Sequence, residues 1–513
     1  MKRTVVLVIL DGWGLGAENE SNPIHKTNPQ TFAWLAENFP MTSLQASGIS
    51  VGLPWGEVGN SEVGHLTLGA GKVIYQNFPK ITMAIRDETF FTNKAFKDAF
   101  AHAREHNSAV NLVGLLTKGS VHASLDHLGA LLEMAKRENI SNVKLHLFAD
   151  SKDSPPHSIL ELLKKIPREK LATLTGRYYA MNREENWAVT ERAYECLTGQ
   201  NGEVIENLDA TIEENYKKNV VEDEFPPYRM ATMKDSGAIA ENDAVIFFNF
   251  REDSIRQISE PFILPAFDKF PVKKFRNLFV ATMVQYEERF TVPVAFPADR
   301  VEEPLGKVLS DVGKTQLRIA ETYKYAHVTY FFNGTVEKPF PNEYRVIIPS
   351  ATNAPPEEHP ELMAPQITDR VIEALQNQAF DFILANYSNP DTIGHTGNYD
   401  ACLAAVACID REIGRLARAA LDSGAFLVIT SDHGNVEQVM NPQTGKVETG
   451  HDPNPVPFYL VGAEFQNRKF ANWPDIKNEI LGIISDVAPT ILELMNIQKP
   501  PEMTGRSLLG EIR

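Results

Sequence analysis

The sequence predicts an α/β protein with sheets rich in parallel strands, built as more than one domain. Three observations carry this. Apolar runs without alternation, such as 5–10, read as strands buried on both faces. These runs alternate with helical patterns along the chain, the order of a parallel sheet under helices. A length of 513 residues is more than three times the roughly 150 of a single domain.

Taken in order, the first strand, 5–10, stops at Asp11-Gly12-Trp13-Gly14. In the middle, 110–116 reads as a strand, 125–137 as a helix and 143–149 as a strand, with further strands at 171–175, 244–250 and 278–283. Toward the end, strand 380–385 leads into Asn386 to Asp391, and strand 426–430 leads into Ser431-Asp432-His433-Gly434. Between them, 399–420 is an amphipathic helix closed by Gly424. Strand, helix, strand with polar residues after each strand is a βαβ signature, and ligands sit beyond the carboxyl ends of such strands. The charged, turn-rich segment 199–234 reads as surface. Proline-bearing connectors at 76–79 and 298–304 mark the edges of a second, central α/β unit.

Composition excludes several classes. With 43% hydrophobic and 9% aromatic residues the chain is neither fibrous nor disordered. A net charge of −17 argues against nucleic acid and membrane surfaces as partners, but leaves room for a small anion where cations converge locally. Three cysteines, none at CxxC spacing, point to a reduced, cytoplasmic chain. Cys402 shares a helical face with Val406, Ile409, Ile413 and Leu416, as a packing residue does. The N-terminal apolar run is too short for a signal peptide, and no segment offers the ~20 apolar residues of a membrane span.

The chemistry-bearing residues cluster at strand ends. Asp11 follows the first strand; Asp391 and His395 are four apart; Asp432 and His433 follow another strand; His451 precedes Asp452-Pro453-Asn454-Pro455. Carboxylate oxygen and imidazole nitrogen together suit Mn²⁺ or Zn²⁺ better than Ca²⁺. These six donors exceed the needs of one ion, so two ions are expected, a pair able to clamp both oxygens of a phosphoryl transfer. Ser61 lies in Gly59-Asn60-Ser61-Glu62-Val63-Gly64-His65. Its hydroxyl is a weak nucleophile unless metal coordination activates it, and a helix starting there would favour an anion.

Leu10 to Gly14, Gly59 to Gly71, Gly176 to Met181 (GRYYAM), Lys324 to Thr329 (KYAHVT), Gly394 to Asn398 and Ser431 to Asn435 stand in one order along nearly the whole chain. In these motifs the sequence resembles the cofactor-independent phosphoglycerate mutases of the alkaline phosphatase superfamily. The resemblance implies an alkaline-phosphatase-like metal-binding domain made of 1–76 and 303–513, interrupted by an inserted substrate-binding domain, 77–302. It implies two divalent ions, usually Mn²⁺: one on Asp391, His395 and His451, the other on Asp11, Ser61, Asp432 and His433. Ser61 would also accept the phosphoryl group. His122, Lys152, Arg177, Arg183, Arg251 and Lys324 would receive the small phosphoglycerate, with Asp153 as acid/base and Lys324 also catalytic. The reaction implied is the interconversion of 3- and 2-phosphoglycerate without bisphosphoglycerate, through a phosphoserine, by a monomer. Water exclusion by two domains hinged near Gln76 and Val301 is expected.

The chain departs from the family's pattern on the glycerate side. Ser151-Lys152-Asp153 stands for Gly-Arg-Asp, Ser254 replaces a second arginine, Lys118 is a new cation near His122, and Tyr323 replaces an acid. Arg256 is not expected to substitute at Ser254, being on another helical face. The competing reading is another metal-dependent phosphatase or phosphotransferase acting on a different small phosphoester. A catalytically dead binding protein is opposed by the intact Ser61 and ligand set.

Overall fold

The computed structural model describes residues 3–233, 237–351, 354–476 and 478–513. The chain forms two compact units, Met1–Gln76 with Asp299–Arg513, and Asn77–Ala298.

The first unit is built on an eight-stranded sheet. Its order is Glu343–Ile348, Gln316–Glu321, Phe382–Tyr387, Val5–Leu10, Phe426–Thr430, Val456–Val461, Met41–Gln45 and Gly482–Ile483. The first five strands are mutually parallel, while Val456–Val461 runs antiparallel to both its neighbours. Val5–Leu10 sits among them with Val5 opposite Phe382 on one side and Phe426 on the other. Its unbroken apolar run follows from coverage of both faces. Val6, Val8 and Leu10 enter the core under the helices Ala364–Gln376 and Tyr399–Ser423; Val5, Leu7 and Ile9 enter the opposite core with Leu305, Leu309, Ile491 and Leu492. The long helix is capped by Asn398, whose side chain accepts from the Ala401 N–H, and ends at Gly424, in the left-handed region at φ 70°. Cys402 and Cys408 are buried on its inner face.

The second unit has its own eight-stranded sheet, in the order Val294–Phe296, Phe279–Val284, Ala244–Phe247, Val110–Leu115, Val143–Ala149, Leu171–Gly176, Tyr228–Met230 and Glu203–Ile205. All neighbours are parallel except Leu171–Gly176 with Tyr228–Met230. Both sheets are thus mixed α/β and mainly parallel, as the alternation of elements predicts.

Two expectations are corrected. The segment 199–234 is not merely surface: it supplies the edge strand Glu203–Ile205, the strand Tyr228–Met230 beside it and the helix Leu208–Lys217, with Lys234 outside the described residues. Its apolar content is thin because an edge strand and a surface helix bury only part of themselves. The strand expected over 244–250 ends at Phe247. There the Tyr286 hydroxyl donates to the Phe247 and Asn249 carbonyls, at 3.0 and 2.7 Å, and Asn249 Oδ1 accepts from Leu115 N–H at 2.9 Å. A side-chain network replaces the ladder although the apolar run continues.

Candidate active site

In the first unit the donors gather because their strands are neighbours. Asp11, Asp391 and Asp432 each follow one of three adjacent parallel strands, so all three emerge at the same edge of the sheet. Asp391 lies in the short helix Asn389–Gly394, with His395 as its C-cap, so the four-residue spacing does bring both side chains to one side. Ser61 is the first residue of the helix Ser61–Ala70, capped by Asn60 Oδ1 on Val63 N–H at 3.0 Å. That helix reaches the site because Gly64 has no Cβ: one would lie 2.7 Å from the Asp432 Cβ.

The first donor set is compact. Asp391 Oδ1 is 3.2 Å from His395 Nε2 and 3.2 Å from His451 Nε2. Each imidazole turns its other nitrogen to a carbonyl, His395 Nδ1 to Thr449 at 2.7 Å and His451 Nδ1 to Gly59 at 2.7 Å, which aims both Nε2 atoms at the carboxylate. In the second set, Ser61 Oγ donates to Asp11 Oδ1 at 3.0 Å and lies 3.0 Å from His433 Nε2; His433 Nε2 is 3.5 Å from Asp432 Oδ2. Among the described residues the buried Asp432 Oδ2 finds no hydrogen-bond donor, because His65 Nδ1, 3.1 Å away, faces the Ser61 carbonyl at 2.8 Å. An open, buried carboxylate oxygen among imidazole nitrogens is the chemistry a divalent cation fits. Ligand atoms of Asp391, His395 and His451, of Asp11, Asp391 and His433, and of Asp11, His65 and Asp432 form three clusters able to hold an ion.

Lys324 stands at the centre. Its ammonium donates to Asp11 Oδ1 at 2.6 Å, Asp391 Oδ2 at 2.7 Å and Ser61 Oγ at 2.7 Å. Burial works against its charge, but Asp11 and Asp391 hold its pKa above the usual lysine value, so it is protonated. Burial, then the charge of Asp432, pushes Asp11 up. Burial also acts to raise Asp391, yet hydrogen bonds from His395 and His451, with Lys324, hold it well below the ordinary carboxylate range.

Of the predicted substrate residues, Lys324 stands among the donors of the first unit, and the others lie in the second unit. A cavity of about 690 Å³ is lined by His122, Lys152, Arg177, Arg183, Arg251 and Ser254, among others. Asp153 Oδ2 is 2.6 Å from His122 Nδ1, and Asp153 Oδ1 accepts from Arg177 at 3.0 Å; Arg177 also donates to Asp150 at 2.8 Å. Burial would raise the Asp153 carboxyl, but His122 and Arg177 keep it below its usual range. Arg183 and Arg251 share Asp253 Oδ2, at 2.7 and 3.2 Å. Lys152 Nζ is 3.5 Å from Asp223. Lys118 is absent from the lining and pairs with Glu161 at 2.9 Å. Arg256 donates to the Tyr286 carbonyl at 3.1 Å, so the position of Ser254 gains no guanidinium from it.

Sequence reasoning missed three supports. Asn386 donates to Asp11 Oδ2 at 2.8 Å, His65 Nε2 is 3.0 Å from the same amide nitrogen, and Asn435 donates to Asp391 Oδ1 at 2.9 Å. His65 was open to detection, four residues beyond Ser61 on the same helix. Asn386 was hidden by being assigned to a loop, whereas it belongs to the strand Phe382–Tyr387.

A mainly parallel α/β sheet with carboxylate and imidazole donors at one edge, around a serine on a helix N-terminus, defines a metal-dependent enzyme. A model of the metalloenzyme superfamily matches residues 3–499. The chain is 42% identical to the 2,3-bisphosphoglycerate-independent phosphoglycerate mutase of Moorella thermoacetica over 99% of both chains, and 40% identical to that of Clostridioides difficile over 100% of both. Among solved structures, Leishmania mexicana phosphoglycerate mutase at low cobalt concentration matches with a TM-score of 0.54 and 25% identity, covering 100% of this chain and 98% of that one. The chain belongs to the family of 2,3-bisphosphoglycerate-independent phosphoglycerate mutases.

Proposed function

We propose that the chain interconverts 3-phosphoglycerate and 2-phosphoglycerate through a phosphoserine at Ser61, with two divalent ions, Mn²⁺ foremost, and no bisphosphoglycerate. The observation that carries this is the setting of the Ser61 hydroxyl, 3.0 Å from both Asp11 and His433 and 2.7 Å from the Lys324 ammonium, in a chain 42% identical to such an enzyme. One ion belongs on Asp391, His395 and His451 and the other on Asp11, Ser61, Asp432 and His433, where they would offset phosphate charge and acidify the serine hydroxyl.

The protein's own groups divide the work. Ser61 Oγ forms a bond to phosphorus as the bond to the 3-oxygen breaks. The Lys324 ammonium neutralises charge gathering beside Oγ, and the helix N-terminus favours the anion. In the second unit, Arg177, Arg183, Arg251 and Lys152 receive the acid groups of the substrate. In the return step the 2-oxygen takes the phosphoryl group and Ser61 is regenerated. Over both steps the glycerate loses the proton of its 2-hydroxyl and gains one at its 3-oxygen. Asp153, a carboxylate hydrogen-bonded to His122, is the group to relay it. Glycolysis and gluconeogenesis in the cytoplasm are the setting for this reaction, where buried thiols such as Cys196, Cys402 and Cys408 stay reduced.

Phosphorus NMR of Mn²⁺-loaded protein given 3-phosphoglycerate alone tests the reading. A 2-phosphoglycerate resonance is expected. Free phosphate alone would make the chain a phosphatase, the reading that Lys152 and Ser254 favour, and no change with this or other small phosphoesters would overturn both.

A further inference from the structure

We infer that Glu437 is a positioning residue for the metal centre, its carboxyl joining the three loops that carry Asp11, Asp432 with His433, and His451. The inference rests on reading those residues as metal ligands. Glu437 lies in the short turn Val436–Gln438 and is 2% exposed. Its Oε2 accepts from the Gly14 N–H at 2.9 Å and the Asn435 N–H at 3.0 Å; its Oε1 accepts from Asn454 Nδ2 at 3.3 Å. Gly14 is three residues beyond Asp11, Asn435 two beyond His433, and Asn454 three beyond His451. Backbone bonds already join these loops in pairs, Val436 N–H to Gly12 O at 3.0 Å and Leu15 N–H to Pro455 O at 2.8 Å. Glu437 alone among the described side chains bonds to all three.

Two glycines record the demand for this carboxyl. A Cβ on Gly14 would lie 1.7 Å from Glu437 Oε1, and one on Gly434 would lie 2.3 Å from the same atom. Neither glycine has a positive φ, so space, not backbone conformation, requires them: for Glu437 alone at Gly14, and for Glu437 together with Asp452 Oδ1, 2.4 Å from the added Cβ, at Gly434. The Gly14 of the Asp11-Gly12-Trp13-Gly14 motif and the Gly434 of Ser431-Asp432-His433-Gly434 thereby acquire one shared purpose. Groups hydrogen-bonded directly to metal ligands typically govern affinity by 10- to 100-fold, and Glu437 acts one step behind them, through the loops that carry the ligands.

The test is calorimetric titration of chelator-treated protein with Mn²⁺, without substrate, for Glu437→Ala, Glu437→Gln, Gly14→Ala and the double variant Gly14→Ala/Glu437→Ala. Glu437→Ala should weaken Mn²⁺ binding by about 10- to 100-fold. Glu437→Gln should stay within about threefold of the parent, because an amide oxygen in the place of Oε2 accepts both N–H bonds and the Asn454 amide can turn its oxygen toward the new NH2. Gly14→Ala should weaken binding by displacing the carboxyl. The double variant should be no weaker than Glu437→Ala, since the clash is gone. Parental affinity in Glu437→Ala, or additive losses in the double variant, would overturn the inference. Should Glu437→Ala not fold, Gly14→Ala with parental affinity overturns it equally. A parent that binds Mn²⁺ but leaves 3-phosphoglycerate unchanged overturns the functional reading alone; a parent that binds none overturns both.

Discussion

Replacing Lys324 by methionine separates charge from shape at the centre of the site. The ammonium spends its three protons on Asp11, Asp391 and Ser61, at 2.6, 2.7 and 2.7 Å. At an effective dielectric of about 20, a pair 2.6 Å apart attracts by about 6 kcal/mol. Much of that offsets the cost of burying the charges, and removing one partner of such a group leaves a net loss of about 3–5 kcal/mol. Methionine fills most of the volume but leaves two buried carboxylates uncompensated. The chelator-treated Lys324→Met protein should therefore unfold at a urea midpoint roughly 1 M lower, for an m of about 3 kcal/mol/M or more. Mn²⁺ supplies positive charge to the same carboxylates, so the deficit should shrink on loading. Turnover should not recover: the loss of a charge aimed at the reacting oxygen costs about 10²–10³ in kcat. Urea unfolding with and without metal, followed by steady-state assay of the loaded protein, measures each part. Equal deficits with and without Mn²⁺ would refute the electrostatic argument and reduce Lys324 to packing.

Three further outcomes follow from other residues. Ser61→Ala should abolish turnover while Mn²⁺ stays bound, read by phosphorus NMR and metal analysis; residual mutase activity would remove Ser61 as nucleophile. Arg177→Lys keeps a charge, but its shorter stem stops short of the Nη1 that bonds Asp150 and Asp153 and it has no second prong for the substrate, so KM for 3-phosphoglycerate should rise about tenfold or more with Mn²⁺ affinity unchanged, in steady-state kinetics and titration. Burial pushes the pKa of His127 and of His146 from 6.5 down to about 3. The unfolded chain thus binds more protons between those values, so stability is complete above pH 6.5 and falls as pH drops through that window. Each histidine costs about 1.4 kcal/mol per pH unit, or together about 4 kcal/mol between pH 6.5 and 5. His146→Gln should lower the slope by about 1.4 kcal/mol per pH unit in denaturant titrations of the chain at each pH, and an unchanged slope would refute it.

Strands such as Val5–Leu10, Val110–Leu115 and Phe426–Thr430 were legible because burial on two faces writes an apolar run that no surface strand can carry, whereas Met41–Gln45, Gln316–Glu321, Glu343–Ile348 and Val456–Val461 went unread. What blurred was the boundary between strand and site. Residues 380–385 read as the strand, yet the chain stays in the sheet through Asn386 and Tyr387, because the Asn386 amide is bonded to Asp11 and needs no water. A polar residue at a strand end is read as the start of a loop unless its partner is known, and here the partner lies 375 residues away. The edge strand Glu203–Ile205 was lost for the opposite reason, since Glu203 and Val204 are exposed and carry no core pattern.

The site itself was legible for a related reason. Asp11, Asp391 and Asp432 follow three strands that sequence shows to be fully buried, and parallel strands in one sheet end on the same side. Distance along the chain, 372 residues between Ser61 and His433, is then no obstacle to a 3.0 Å contact. The supporting groups were less visible because they satisfy rather than perform chemistry: His65, Asn435 and Glu437 are each explained only by the atom they orient. The net charge of −17 makes the same point. It describes the surface, whereas the Lys324 ammonium and the arginines of the second unit's cavity act where acidic groups have been paired one by one with cations. A small anion would meet that local balance, and no sum over the chain reveals it.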